Sequence, residues 1–134
     1  MTFLSMDFKN VEKQAQSIVE KLSKFKGDSQ GYSSFIRNLY DIVRRIDYEE
    51  KNNASIIKAK ILLLYHISRK MDKKKEEEKK TLEELRKVLI SACDEMIEAK
   101  DKKKEVVDKL KIFLQALIAG MKYREVMNSV SRGR

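Results

Sequence analysis

Apolar residues recur along most of the chain at helical intervals. Phe8, Val11, Ala15, Ile18, Val19, Leu22 and Phe25 follow the i, i+3, i+4, i+7 pattern of an amphipathic helix, which predicts a first helix over residues 7–26. Residues 26–31 contain the only interior Gly-rich punctuation and read as a loop. Ser33 or Ser34 can then cap a second helix whose apolar stripe is Ile36, Leu39, Val43 and Ile46. Lys51, Asn52 and Asn53 break the pattern. A third helix is expected from about Ser55 to Met71, with Ile57, Ile61, Leu64 and Met71 facing one way and Leu62 and Tyr65 another.

Residues 73–80 carry no apolar side chain and cannot contribute to a core. They read as a solvent-exposed stretch, either a helical extension held by Glu–Lys pairs or a mobile loop. Thr81 with Glu84 forms a capping-box pattern ahead of an apolar run, which predicts the start of a fourth helix carrying Leu82, Leu85, Leu89, Ala92 and Met96. After the polar residues 100–104, a fifth helix carries Val106, Leu110, Phe113, Leu117 and Met121 and is expected to fray near Asn128. The expected architecture is all-α: one domain over residues 1–130, a bundle of four or five antiparallel helices, with a short basic tail at 131–134.

Composition supports this picture. A chain of 134 residues is about one domain. It has no Pro and only four Gly, too few turn residues for a fold of many short strands. One Cys and one His are too few for a structural zinc site and allow no internal disulfide, which fits a reducing compartment. No segment has the length and apolarity of a membrane span, and the start lacks the pattern of a secretory signal. A cytoplasmic protein is expected, with no metal and no cofactor. Thirty Lys and Arg against 21 Asp and Glu leave a net charge of +9.

Catalytic groupings are not apparent. His66 stands between Tyr65 and Ile67, and the acids are scattered among lysines. Cys93, beside the apolar positions Ala92 and Met96, reads as a buried structural thiol. No Gly-rich phosphate loop is present, and no enzyme activity is expected. The basic residues are more informative. Lys58, Tyr65 and Arg69 are spaced so that all three fall within about 20° of one line on a helix. Lys111 and Lys122 share a line with Gln115 between them, and Arg37 and Arg44 share another. Such stripes suit a phosphate backbone, where each cation displaces condensed counterions and Arg binds bidentately. The bland reading stands beside it: surface lysines maintain solubility, Arg37 can pair with Asp41, and Arg69 can pair with Asp72. With no aromatic-rich strand motif and no compact helix-turn-helix pattern, recognition would be of shape and backbone.

Three segments together carry a resemblance. They are Ser34-Phe35-Ile36-Arg37-Asn38-Leu39-Tyr40, the stretch from Lys60 to Arg69 containing Tyr65, and the stretch from Phe113 to Tyr123 ending Met121-Lys122-Tyr123. In order and spacing they resemble the small subunit of type III-A CRISPR–Cas interference complexes, the Csm complexes. The chain departs from that pattern at Phe35 and Leu62, where the family has Lys, and at Ser68, Gln115 and Gly120. The resemblance implies a non-catalytic helical subunit present in several copies, which touches target RNA as it pairs with guide RNA. It implies partners in guide and target RNA, other subunits of the effector complex and further copies of the chain itself. Carried over by position, it points to Ser34, Arg37, Lys60, Arg69 and Lys122 for RNA contact; stripe geometry adds Arg44, Lys58 and Lys111. Two other readings are a nucleoid-type DNA-binding protein and a cytosolic helical adaptor that docks a partner on an apolar face.

Overall fold

Asp7 opens the first helix because its carboxylate accepts from the backbone N–H of Asn10 at 2.8 Å, satisfying a donor the helix itself cannot. The computed structural model describes residues 3–25 and 29–132. Across them run five helices: α1 (Phe8–Leu22), α2 (Ser29–Arg44), α3 (Ala54–Met71), α4 (Glu76–Glu98) and α5 (Lys103–Arg132). No strand occurs among the described residues. The all-helical single-domain bundle expected from the apolar spacing is the fold observed.

The helices surround one continuous apolar core. α5 packs against α1, α2 and α4; α3 packs chiefly on α4 and also on α2; α1 lies over the groove between α5 and α4. Side-chain contacts fix the directions. Tyr40 meets Gln115 while Ser33 meets Glu125, so α2 runs antiparallel to α5. Phe3 meets Phe113 while Glu20 meets Arg124, so α1 runs along α5 in the same direction.

The chain before α1 is tied into the bundle by polar contacts. Glu95 on α4 accepts from the backbone N–H groups of Phe3 at 3.2 Å and Leu4 at 2.6 Å. Lys109 on α5, buried to 4% exposure, donates to the Phe3 carbonyl at 2.8 Å, lies 3.8 Å from Glu105 and points its amine at the Phe8 ring. Phe3 itself is buried against Phe113.

Several local expectations are corrected by packing. α2 begins at Ser29, so Gly31 lies inside it; residues 26–28 of the expected loop are outside the described residues. Ser33 is a buried residue of the second turn whose hydroxyl donates to Glu125, and it caps nothing. Thr81 likewise lies inside α4, buried, with its hydroxyl donating back to the Glu77 carbonyl at 3.3 Å. The helix starts earlier because Glu76, Glu77 and Glu78 favour the positive end of its dipole. Glu78 also accepts from the hydroxyl of the fully buried Tyr32. Residues 76–80 of the charged run therefore open α4, residues 73–75 lead into it, and the run is mostly exposed, with Lys74 and Glu78 half-buried. α5 continues without fraying to Arg132; Gly133 and Arg134 lie outside the described residues.

The largest correction concerns α3. Its buried residues are Ile56, Ala59, Leu63 and Ile67, while Ile57, Ile61 and Leu64 face outward. α3 is apolar on nearly every side, so spacing alone does not say which arc points inward. Contact with α4 and α2 decides it.

α1 and α5 approach closely at Gly120, where an added Cβ would sit 2.8 Å from a Val19 methyl. We expect Gly120→Ala to cost about 1 kcal/mol, since overpacking of roughly 1–3 kcal/mol outweighs the ~1 kcal/mol gained in helix propensity. In a Val19→Ala background the same change should become neutral or stabilising. Urea unfolding of the four proteins in the cycle checks this, and an unchanged effect in both backgrounds would refute the close contact.

Candidate nucleic-acid interface

The seam between α2 and α5 gathers four of the seven basic residues singled out in the sequence. On α2 the buried side is Tyr32, Ile36, Leu39 and Val43, which leaves Arg37 and Arg44 exposed on the flank next to α5. On α5 the buried side is Val106, Leu110, Phe113, Leu114, Leu117 and Met121, which leaves Lys111, Gln115 and Lys122 on the flank next to α2. Gln115 Nε2 donates to Tyr40 Oη at 3.0 Å, and Ser33 Oγ donates to Glu125 at 3.3 Å. These two contacts set the register across the seam. Lys122 falls within about one turn of Arg37, and Lys111 falls at the level of Arg44. The result is two cation pairs, one on each side of the Tyr40–Gln115 bridge. Along the helix axes it extends about 10–16 Å, enough for several successive phosphates of one strand.

Ion pairing distinguishes this seam from the rest of the surface. Around α4 the charges neutralise one another: Lys21 with Glu84 at 2.8 Å, Lys60 with Asp94 at 2.5 Å, and Arg86 with Glu83. The Arg86 guanidinium donates to Glu83 and holds that carboxyl below the ordinary carboxylate range. In the seam, Arg37, Lys111 and Lys122 have no ion pair among the described residues. Arg44 meets Asp41 at 3.9 Å, a long and exposed contact of the kind that contributes little. Asp41 is thus engaged with Arg44 and leaves Arg37 free of it.

The remaining candidates lie elsewhere. Lys58 and Arg69 are exposed on α3, on the other side of α2, and neither has an ion pair among the described residues. Arg69 stands in the last turn of α3, and no Arg69–Asp72 pair forms. Lys60 points away from both toward α4, where Asp94 takes its charge, so its place is an interhelical ion pair. Ser34 is exposed on the outer surface of α2, away from the buried contacts with α5. The stripes read one helix at a time thus fall into two separate basic groups, with Lys60 held in an interhelical ion pair.

Phe35 and Gly120 are both set by packing. Phe35 is buried, and its ring lies edge-on to Tyr32 with the Lys70 amine 5.8 Å away. Gly120 is held against Val19 with no room for a larger side chain. Comparison with known protein families, with characterised proteins and with solved structures finds no match to this chain.

The Tyr40–Gln115 bridge was not predicted. Both residues were visible in the sequence, yet their pairing across 75 positions depends on the register of two helices. No aromatic ring lies open in the seam, since Tyr40 is half-buried and its hydroxyl is engaged; Tyr65 and Tyr123, the exposed tyrosines, stand elsewhere. The seam can hold a backbone but offers no platform for stacking bases. Among the described residues no group of three His, Cys, Asp or Glu could hold a metal ion, and no helix is long and apolar enough to cross a membrane.

Cys93 is buried on α4. Burial pushes its thiol up to about 12, with Asp94 adding to the rise and Lys60 opposing it. Below pH 9 the thiol is protonated whether the chain is folded or unfolded. Above pH 9 the unfolded chain ionises first, so the stability that depends on this group is lost between pH 9 and about 12. The native protein should react with a thiol reagent at pH 8 far more slowly than the denatured chain. Wild type should also lose stability relative to Cys93→Ala as the pH climbs through that window. Fast native labelling at pH 8 would show an accessible thiolate instead.

Proposed function

We propose that this chain is a non-catalytic helical subunit that binds the backbone of single-stranded RNA along the α2–α5 seam. One observation carries the reading: Arg37 and Arg44 face Lys122 and Lys111 at two levels, and among the described residues Asp41 is the one carboxylate paired to any of the four. Removing condensed counterions from a strand is favourable wherever several unpaired cations are held in line, and the two rigid helices hold them at no cost in loop ordering. Arg37 and Arg44 supply bidentate phosphate contacts, while the lysines act as point charges. The Tyr40–Gln115 bridge keeps the two rows in register. Lys58 and Arg69 are too far around the bundle to extend the same contact.

Within this reading, the three-segment resemblance names the setting: a type III-A CRISPR–Cas effector complex, in which the strand would be target RNA pairing with guide RNA. Two of the seam residues, Arg37 and Lys122, are also positions that resemblance marks.

Filter binding of a single-stranded RNA at several salt concentrations provides the test. Log affinity should fall with log salt at a slope of about −0.7 per phosphate neutralised. Arg37→Ala with Lys122→Ala should weaken binding several-fold and flatten the slope by about 1.4, being two phosphate contacts fewer. Lys104→Ala, which removes an exposed cation paired with Asp108 at 3.6 Å, should leave binding unchanged. Duplex DNA should compete poorly at equal salt. Wild-type affinity in the double variant, or preference for duplex DNA, would overturn the proposal.

A further inference from the structure

α3 presents to solvent a row of large apolar side chains that the described residues leave about half exposed. Ile57, Ile61, Leu64 and Tyr65 follow i, i+4, i+7, i+8 spacing and are 45%, 62%, 42% and 52% exposed. Isolated exposed apolar residues are ordinary, whereas a contiguous row along one helix marks an interaction surface. Shallow depressions lie at both ends of the row, one lined by Ile57, Lys58 and Ile61 and one by Tyr65, Arg69, Asp72 and Lys79, with no Arg69–Asp72 ion pair among the described residues.

The charges beside the row are asymmetric. On the α2 side stand Lys58 and Arg69, neither with an ion pair among the described residues. On the α4 side stands Lys60, already neutralised by Asp94. We propose that this face docks an amphipathic helix of another protein, one whose apolar stripe is bordered on one side by Asp and Glu. The apolar row takes the stripe by helix-in-groove packing, and Lys58 and Arg69, about 16 Å apart along the axis, take carboxylates near its two ends. This surface is separate from the α2–α5 seam and does not rest on RNA binding.

Charge decides against a second copy of the chain as the occupant. An antiparallel pairing of two α3 faces sets the Lys58–Arg69 edge against itself, gathering four cations between molecules that each carry +9. A parallel pairing sets that edge against the Lys60–Asp94 pair, whose carboxylate is already used. Area argues the same way. A stable dimer buries about 800 Å² on each partner, and four partly exposed side chains supply on the order of a few hundred.

Two synthetic amphipathic helices with the same Leu stripe, one edged with Glu and one with Lys, serve as probes in fluorescence anisotropy with the full chain. The Glu-edged peptide should bind and the Lys-edged peptide should not. Ile61→Ser, at a position already exposed and so tolerated by the fold, should weaken binding about tenfold. Lys58→Glu with Arg69→Glu should reverse the preference toward the Lys-edged peptide, a result that mere loss of stability cannot produce. Arg37→Ala with Lys122→Ala should leave peptide binding intact, which separates this face from the seam. Equal binding of the two peptides, or binding of neither, would overturn the proposal. So would a dimer in sedimentation that Ile61→Ser dissolves.

Discussion

α5 must bury an arc wide enough for three neighbours, and the surface of the protein follows from that requirement. α1, α2 and α4 all pack on it, so Val106, Val107, Leu110, Phe113, Leu114, Leu117 and Met121 are all withdrawn from water. Such a helix keeps little room for polar residues. Its remaining flank beside α2 is where Lys111, Gln115 and Lys122 stand. The wide apolar arc and the narrow basic line are thus one constraint seen from inside and from outside. Gly120 belongs to the same requirement, because only a residue without Cβ lets α1 come close enough to fill the third side.

A buried cation completes that third side. Lys109 would be costly to desolvate alone, since several kcal/mol attend an uncompensated buried charge. Here its amine meets the Phe3 carbonyl, the Glu105 carboxylate and the face of Phe8. With Glu95 accepting from the backbone N–H groups of Phe3 and Leu4, the segment ahead of α1 is held by groups from both α4 and α5. Loss of either helix's position would release it, so these polar contacts report on correct assembly of the whole bundle rather than on any one helix.

The electrostatic surface is uneven because some charges found partners during packing and others did not. Lysines that point toward α4 meet Glu84 and Asp94. Those flanking the α2–α5 seam meet almost none, since that part of both helices is poor in acids. Net charge alone would suggest a generally basic protein. The distribution instead separates a neutralised side from two open basic edges, one beside polar surface in the seam and one beside the apolar row of α3. Those two edges suit different partners for that reason: bare cations in line suit a phosphate backbone, and cations bordering an apolar row suit an acidic amphipathic helix.

Periodicity was enough to predict a bundle of four or five helices, their order and most of the core, because α1, α2, α4 and the first part of α5 each have one apolar side and one polar side. Cys93 was legible as a buried thiol for the same reason. It was insufficient for α3, where residues 56–67 are apolar in almost every direction and only contact with α4 and α2 selects Ile56, Ala59, Leu63 and Ile67 as the inner arc. Capping patterns misled at Ser33 and Thr81, since a hydroxyl inside a helix can bond a neighbouring helix or its own preceding turn as readily as it caps. The basic stripes were visible one helix at a time. That Arg37 and Arg44 share a seam with Lys111 and Lys122, that Lys60 is neutralised, and that Lys58 and Arg69 border a different surface was decided by tertiary structure alone. Relative position around the bundle depends on which arcs are buried and in what register, and neither is written in the spacing of any single helix.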